Sequence, residues 1–147
     1  MISTYDNCLY VHIPKTAGQS IESVFLQRAG LTWEQREAML LMPNSNPELG
    51  PPRLAHLTAQ EYIKYGYLTE VEFNQLFRFT FVRNPWARLV SEYRYKQHAF
   101  SFKDFICKHF PEQGVDDYQG FNGLYRQLKG EIYCQSEGES ADYLRYI

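Results

Sequence analysis

Two short β-favouring segments of this 147-residue chain each run directly into a loop and then into a helical pattern. The first is residues 8–13 (CLYVHI), which predicts a buried strand that stops at Pro14, because proline cannot donate to a sheet ladder. The second is residues 78–82 (RFTFV), where long and β-favouring side chains alternate. Strand, loop and helix in this order are the unit of an α/β fold. We therefore expect an α/β protein in which these strands are neighbours.

Both strands lead into helices with recognisable boundaries. The spacing predicts a helix over 19–29 that ends at Gly30. Its shared face would hold Ile21, Val24, Phe25 and Arg28. A second helix begins after Asn84, a good N-cap, with Pro85 at the first helical position, and runs to about Gln97. Its apolar face would hold Trp86, Leu89, Val90 and Tyr93.

The segment between the two junctions carries capping boxes, in which a Thr and a Glu or Gln three residues later satisfy the first amides of a helix. Thr32 with Gln35 predicts a helix that runs to Met42. Thr58 with Glu61 predicts one that ends at Gly66, and Thr69 with Glu72 predicts one that ends near Leu76. The proline-rich residues 43–52 predict an irregular surface loop, and residues 53–57 a brief extended piece. Ser101 with Asp104 opens a further helix, and residues 131–135 and 142–147 are candidate strands.

Composition excludes several classes of protein. Hydrophobic residues make up 44% and charged residues 22%, which argues against disorder and a coiled coil. A net charge of −2 argues against a globally basic nucleic-acid binder. No apolar run approaches the ~20 residues that span a bilayer, and the start MISTYDN lacks a signal peptide's pattern, so we expect one cytoplasmic domain over residues 1–147. An odd number of widely spaced cysteines fits a reducing compartment: Cys8, Cys107 and Cys134.

The first loop carries residue types that bind an anion: Lys15, Thr16, Ala17, Gly18, Gln19 and Ser20. Ligands of open α/β sheets bind beyond the carboxyl ends of strands, where helix N-termini offer unpaired N–H groups. Small residues let these amides approach a phosphate or sulfate, and the lysine adds a point charge. The loop is not a nucleotide P-loop, since its lysine precedes its only glycine. The alternative is an ordinary turn with an exposed lysine.

The second loop places Arg83 at the opening of its helix and Ser91 two turns further on, away from the apolar face. A planar arginine, a helix N-terminus and a hydroxyl suit a phosphate group. Residues 78–96 hold five basic side chains against one acidic one. A solvated basic helix face is the alternative, and it is the interpretation we prefer for Arg88, Arg94 and Lys96.

Residues 11–25 (VHIPKTAGQSIESVF) and 79–96 (FTFVRNPWARLVSEYRYK) together resemble the two cofactor motifs of the carbohydrate (family 2-type) sulfotransferases. The family pattern is a strand ending in I/V-P-K-T, with a small residue and Ser before a helix, and downstream F-V-R-[DN]-P-x-x-R-L-V-S-x-Y. The resemblance implies a P-loop-NTPase-like three-layer sandwich with a central, mostly parallel sheet. It also implies 3′-phosphoadenosine 5′-phosphosulfate (PAPS) as sulfuryl donor, adenosine 3′,5′-bisphosphate (PAP) as product, and no metal.

The resemblance assigns roles by position. Residues 15–20 would cradle the 5′-phosphosulfate, with Lys15 stabilising charge on the bridging oxygen, and Arg83 and Ser91 would hold the 3′-phosphate. The acceptor would be a hydroxyl of a saccharide or another small molecule. His56, just before a capping box, resembles the catalytic base of the hexuronic-acid sulfotransferases, and a structural histidine is the alternative. His12 is interpreted as a hydrogen-bonded sheet residue, and two further histidines lie at helix ends: His98 and His109.

The tail, residues 124–147, resembles a mid-domain segment of the family, so the sandwich would be incomplete at its C-terminus. An unfinished sheet edge would be covered by formation of a homodimer.

Two other functions stay open from the sequence. One is a truncated, non-catalytic module that binds PAPS or another nucleotide. The other is a P-loop kinase, which lacks support here because the G-x-x-x-x-G frame before the lysine is missing.

Overall fold

The computed structural model describes residues 1–109, with side chains described through residue 107. It forms two compact units. The sheet unit comprises residues 1–13 and 17–81, and the loop–helix unit comprises residues 14–16 and, within the described range, 82–109. The expectation of one domain over residues 1–147 stays a prediction, and the candidate strands at 131–135 and 142–147 lie outside the described residues.

The sheet unit is built on three strands: β1 (Ile2–Ser3), β2 (Cys8–Tyr10) and β3 (Phe77–Phe79). β1 pairs antiparallel with β2, and β2 pairs parallel with β3, with Tyr10 opposite Phe79. The parallel pairing confirms that the two predicted strands are neighbours. Both are shorter than predicted, although the amide of Val11 still donates to the carbonyl of Phe79 at 3.0 Å. The strand β2 is buried along its whole length, as expected for a strand covered on both faces.

Helix α1 (Gly18–Arg28) confirms the predicted helix to within one residue at each end. Its inner face agrees with the prediction only in part. Ile21 and Phe25 pack against the core, but Val24 is 52% exposed. The residues with least exposure include Glu22 at 3% and Leu26 at 2%. Positions 18, 22 and 26 form the buried stripe at a spacing of four. The core against which α1 packs consists of Met1, Tyr10, Leu26, Met39 and Leu41. A buried glutamate was missed because carboxylates are rarely buried unless they are paired.

Two helices confirm their predicted capping boxes: α2 (Ala59–Lys64) and α3 (Glu70–Gln75). The amides of Thr58 and Thr69 each donate to an oxygen of the glutamate three residues on, at 2.8 Å in both cases. The helix predicted over 32–42 is instead the 3-10 helix Trp33–Met39, ended by Leu40 in the left-handed conformation at φ +61°.

Residues 43–57 contain one confirmed and one wrong prediction. The irregular loop over 43–52 is confirmed, with a 3-10 turn Pro47–Leu49 and an isolated bridge between Pro43 and Arg53. The extended piece predicted over 53–57 is wrong, because Leu54–His56 forms a 3-10 turn. This turn closes when the His56 amide donates to the Arg53 carbonyl at 3.0 Å.

The loop–helix unit is organised by α4 (Pro85–Lys96), followed by α5 (Phe102–Asp104) and a π-helical turn Phe105–His109. The predicted N-cap of α4 is confirmed: Asn84 Oδ1 accepts from the amides of Trp86 and Ala87, both at 3.1 Å. The small core of this unit comprises Leu89 and Phe105, packed with Tyr93, Phe100 and Ile106. Trp86, predicted to be buried, is 67% exposed.

The described residues thus form a mixed α/β fold with a three-stranded sheet. The three-layer arrangement expected from the family resemblance stays a prediction. Within residues 1–109, no helix has the length and apolar character that a bilayer span requires.

Candidate active site

The loop–helix unit brings Lys15 and Arg83 together, although they come from different motifs. Arg83 Nη1 donates to the backbone carbonyl of Lys15 at 3.3 Å across a sequence separation of 68 residues. The Lys15 backbone is left-handed at φ +67°, which costs energy in any residue with a Cβ and is frequent at ligand sites. The Lys15 ammonium lies 3.9 Å from the centroid of the Tyr95 ring, a cation–π contact.

Arg88 corrects the interpretation of a solvated basic face. It is 1% exposed, and its Nε donates to the carbonyl of Pro14 at 2.7 Å. A buried guanidinium needs acceptors, and a loop carbonyl supplies one. Glu92, one turn further along the same face of α4, is also 1% exposed. Arg94 and Lys96 are exposed, as predicted for a solvated face.

The two residues of the second motif that were predicted to bind a phosphate, Arg83 and Ser91, differ in their exposure to solvent. The Arg83 side chain is exposed, whereas Ser91 is half-buried on α4. Successive carbonyls of the loop, those of Pro14 and Lys15, each receive an arginine donor. The second motif therefore fixes the backbone of residues 14–16 through two side chains.

Helix α1 in the sheet unit starts without a side-chain cap. Its N-cap is Ala17, left-handed at φ +69°, and no acidic residue lies in its first turn. Gln19 and Ser20 are exposed on that turn. By contrast, α4 is capped by Asn84 and the short helices α2 and α3 have capping boxes. The N-cap residue of α1 thus contributes no side-chain acceptor to the first amides, and the helix dipole favours an anion there.

Gly18, the first residue of α1, lies directly against the imidazole of His12. A Cβ built on Gly18 would come within 1.9 Å of His12 Nε2, so no larger residue fits without displacing the ring. The sequence suggested this glycine for close approach of a phosphate. The structure adds a steric requirement, because the His12 ring occupies the space that a side chain would need.

His12 and His56 meet in the sheet unit beside a buried carboxyl group. His12 Nδ1 lies 2.7 Å from Glu22 Oε1, and both side chains are buried. The His56 ring lies edge-on to the His12 ring, with centroids 4.5 Å apart and planes at 62°. His56 Nδ1 lies 3.4 Å from the backbone carbonyl of His12, a long hydrogen bond. His12 is hydrogen-bonded, as interpreted, but its partner is a helix side chain.

The His56 imidazole stays neutral at pH 7 and well below it, because burial disfavours its charged form. Burial is the largest cause that lowers the pKa of His56 from 6.5 to about 4, and the nearby charge of His12 adds to it. A carbonyl oxygen only accepts, so the neutral ring carries its proton on Nδ1 and keeps a lone pair on Nε2. The structure therefore gives His56 the protonation state that a general base needs.

Comparison with protein families decides what kind of protein this is. The family described as "Sulfotransferase family" matches residues 1–143, nearly the whole chain. The chain belongs to the sulfotransferase family. The resemblance read from residues 11–25 and 79–96 is thereby confirmed. Comparisons with curated proteins and with solved structures gave no significant match.

Two buried charged residues of this sulfotransferase were not expected from the sequence: Glu22 was not singled out, and Arg88 was assigned to a solvated face. Each lies on the inner face of a helix that follows a motif loop, and each contacts a residue at or just beyond the end of the first predicted strand. In a sequence, a buried charged residue can be recognised only when it lies at the same helical spacing as the buried residues around it. Glu22 does so, four residues from both Gly18 and Leu26.

In the described part of the chain, no group of three or more His, Cys, Asp or Glu side chains is arranged to hold a metal ion.

Proposed function

We propose that this sulfotransferase moves the sulfuryl group of PAPS to a hydroxyl of a saccharide or another small acceptor by in-line transfer. The observation that carries the proposal is the contact between Arg83 and the Lys15 carbonyl. It joins the two motifs that the family uses for the two charged ends of the donor. We expect the protein that carries out this reaction to have a P-loop-like three-layer sandwich fold. The homodimer also stays a prediction.

The donor would be held at two places. Lys15, Thr16, Ala17, Gly18, Gln19 and Ser20 would surround the 5′-phosphosulfate, and Arg83 and Ser91 would bind the 3′-phosphate. The N-terminus of α1 supports the first assignment, because its N-cap, Ala17, has no side-chain acceptor for the first amides and the helix dipole favours an anion. The exposed guanidinium of Arg83 supports the second, since arginine binds a phosphate through two parallel hydrogen bonds.

In the transfer, the acceptor oxygen bonds to sulfur while the bond from sulfur to the bridging oxygen breaks. Negative charge develops on that bridging oxygen as PAP leaves, and the Lys15 ammonium would stabilise it. Such reactions depend on positioning and charge stabilisation more than on covalent help from the protein. For Lys15 to take this role, its ammonium would leave the Tyr95 ring, with which it is in contact here.

His56 would accept the acceptor's proton on Nε2. Its low pKa of about 4 keeps it unprotonated at pH 7, although it also makes the imidazole a weak base. A weak base suffices late in the transfer, because the hydroxyl of an oxygen that is already bonding to sulfur becomes strongly acidic.

The odd number and wide spacing of the cysteines fit an enzyme of a reducing compartment, and Cys8 and Cys107 are free thiols.

Calorimetric titration with PAP tests the proposal without a known acceptor. We expect wild type to bind PAP and Arg83→Ala to bind it about 10- to 150-fold more weakly, the loss of a charge-assisted hydrogen bond worth about 1.5–3 kcal/mol. Arg94→Ala is the matched control, since Arg94 is an exposed arginine on α4. No binding by wild type, or equal affinity in Arg83→Ala, would reject the proposal.

A further inference from the structure

The proposed reaction makes no use of the buried pair formed by His12 and Glu22. Glu22 is 3% exposed and His12 8% exposed, and their closest atoms are 2.7 Å apart. Removing a carboxyl group and an imidazole from water costs energy that an apolar pair would not. Leu26, the next residue on the same stripe of α1, shows that an aliphatic side chain fits this face. The pair therefore calls for a role other than core packing.

His12 contacts both parts of the sheet unit that the proposed reaction uses. Its imidazole lies against Gly18, the first residue of α1, where any Cβ would collide with the ring. Its backbone carbonyl is the acceptor for His56 Nδ1 at 3.4 Å, and its ring packs edge-on to the His56 ring. One residue thus touches the start of the anion-binding helix and the proposed base.

Glu22 determines which way the His12 ring faces. An imidazole that has no partner can rotate about its side-chain bonds, whereas a hydrogen bond from Nδ1 to a carboxyl oxygen fixes the ring and its tautomer. Because Glu22 lies one turn into the same helix that Gly18 begins, α1 holds the His12 ring from two places. The ring in turn limits the positions open to His56.

We infer that Glu22 and His12 are positioning residues for His56. Glu22 fixes the His12 imidazole, and His12 holds the His56 ring so that Nδ1 faces the His12 carbonyl and Nε2 keeps the lone pair. This inference rests on the proposed function, in which His56 accepts the acceptor's proton. Neither Glu22 nor His12 need touch donor or acceptor for this role.

The test observes the imidazole nitrogens of His56 by ¹⁵N NMR at pH 7, in the full chain labelled at histidine. Protonated and lone-pair nitrogens have well-separated shifts, and His56→Gln assigns the signals. We expect wild type to show a single neutral tautomer with the proton on Nδ1. In Glu22→Gln we expect loss of that single tautomer, with both nitrogen shifts moving toward the form protonated on Nε2. Unchanged His56 shifts in Glu22→Gln would overturn the inference.

A second variant keeps the test decisive if Glu22→Gln unfolds. His12→Gln retains a donor for Glu22 and the backbone carbonyl but removes the ring, so we expect the same loss of the single tautomer. Glu61→Gln is the matched control, because Glu61 is a buried carboxyl group whose capping box with Thr58 a glutamine can also form. Shifts that change equally in Glu61→Gln would overturn the inference, since any buried charge would then have the same effect.

The same proteins separate this inference from the proposed function. The tautomer is measured without PAP or acceptor, and PAP binding is measured by calorimetry on wild type. Wild type that binds PAP, together with unchanged His56 shifts in Glu22→Gln, overturns the positioning role alone. Wild type that binds no PAP overturns the proposed function whatever the shifts show.

Discussion

Folding and protonation are linked at His56. Its pKa is lowered from 6.5 to about 4, with burial as the largest cause. Between these two pH values the unfolded chain binds a proton at this site that the folded chain does not. Unfolding is therefore accompanied by proton uptake, and stability falls as the pH drops from 6.5 toward 4. Above 6.5 both states are neutral at His56, and the effect disappears.

Replacing His56 by glutamine should remove this pH dependence. We expect wild type to lose up to about 3 kcal/mol of its free energy of unfolding through this site between pH 7 and pH 4, and His56→Gln to lack that part of the loss. Urea titrations at pH 7, 5.5 and 4.5 measure the difference. Parallel pH profiles for the two proteins would show that the imidazole titrates normally in the folded state.

The contacts of single residues could be predicted from the sequence only where a known motif or a residue a few positions away indicated the partner. The strand-edge argument and the family pattern predict that Lys15 and Arg83 belong to one site. The structure shows Arg83 in contact with the Lys15 carbonyl, and the shared site stays a prediction. Nothing local marks Glu22 as the partner of His12 or Arg88 as the donor to Pro14. Those pairs depend on how helices pack, and a charged residue on a helix is ordinarily exposed.

At the scale of elements, the signals that involve residues two or three positions apart predicted the structure well. The capping boxes of α2 and α3 and the Asn84 cap of α4 depend on such contacts, and all three helices begin where predicted. Strand length depends instead on which residues the neighbouring strand offers, so both strands were predicted too long. The prediction for residues 53–57 was wrong for a different reason: the His56 amide donates to the nearby Arg53 carbonyl, and this local hydrogen bond closes a turn.

The N-cap of α4 is the element-scale contact most open to measurement. Asn84 Oδ1 satisfies two amides at the start of the helix, directly after Arg83. We expect Asn84→Ala to lower the free energy of unfolding by about 1 kcal/mol, with Asn84→Asp retaining most of it because aspartate keeps the accepting oxygen. Urea unfolding of the three proteins provides the measurement. Equal stabilities of the alanine and aspartate variants would show that the cap contributes little.

At the scale of the molecule, two motifs of 15 and 18 residues identified the family that matches residues 1–143. They succeed because both are strand–loop–helix junctions, where the strand end, the loop and the helix start each restrict residue type over successive positions. No such local pattern marks an acceptor site, since a hydroxyl group can be bound by many different surfaces. The family match also weighs against the P-loop kinase that stayed open from the sequence. A sulfotransferase and a kinase differ in which groups neutralise the charge of the bound nucleotide.

In our proposal Lys15, Arg83 and helix amides meet the charge of the nucleotide, so binding should not need a divalent cation. We expect PAP at about 100 times its dissociation constant to stabilise the folded chain by about 2.7 kcal/mol, both with Mg²⁺ and with EDTA. ADP, which lacks the 3′-phosphate, should stabilise it less, because Arg83 and Ser91 then have no phosphate to bind. Thermal unfolding in the presence of each ligand measures both effects. A kinase would show the reverse pattern: EDTA would abolish the stabilisation, and a magnesium nucleotide without a 3′-phosphate would stabilise more than PAP.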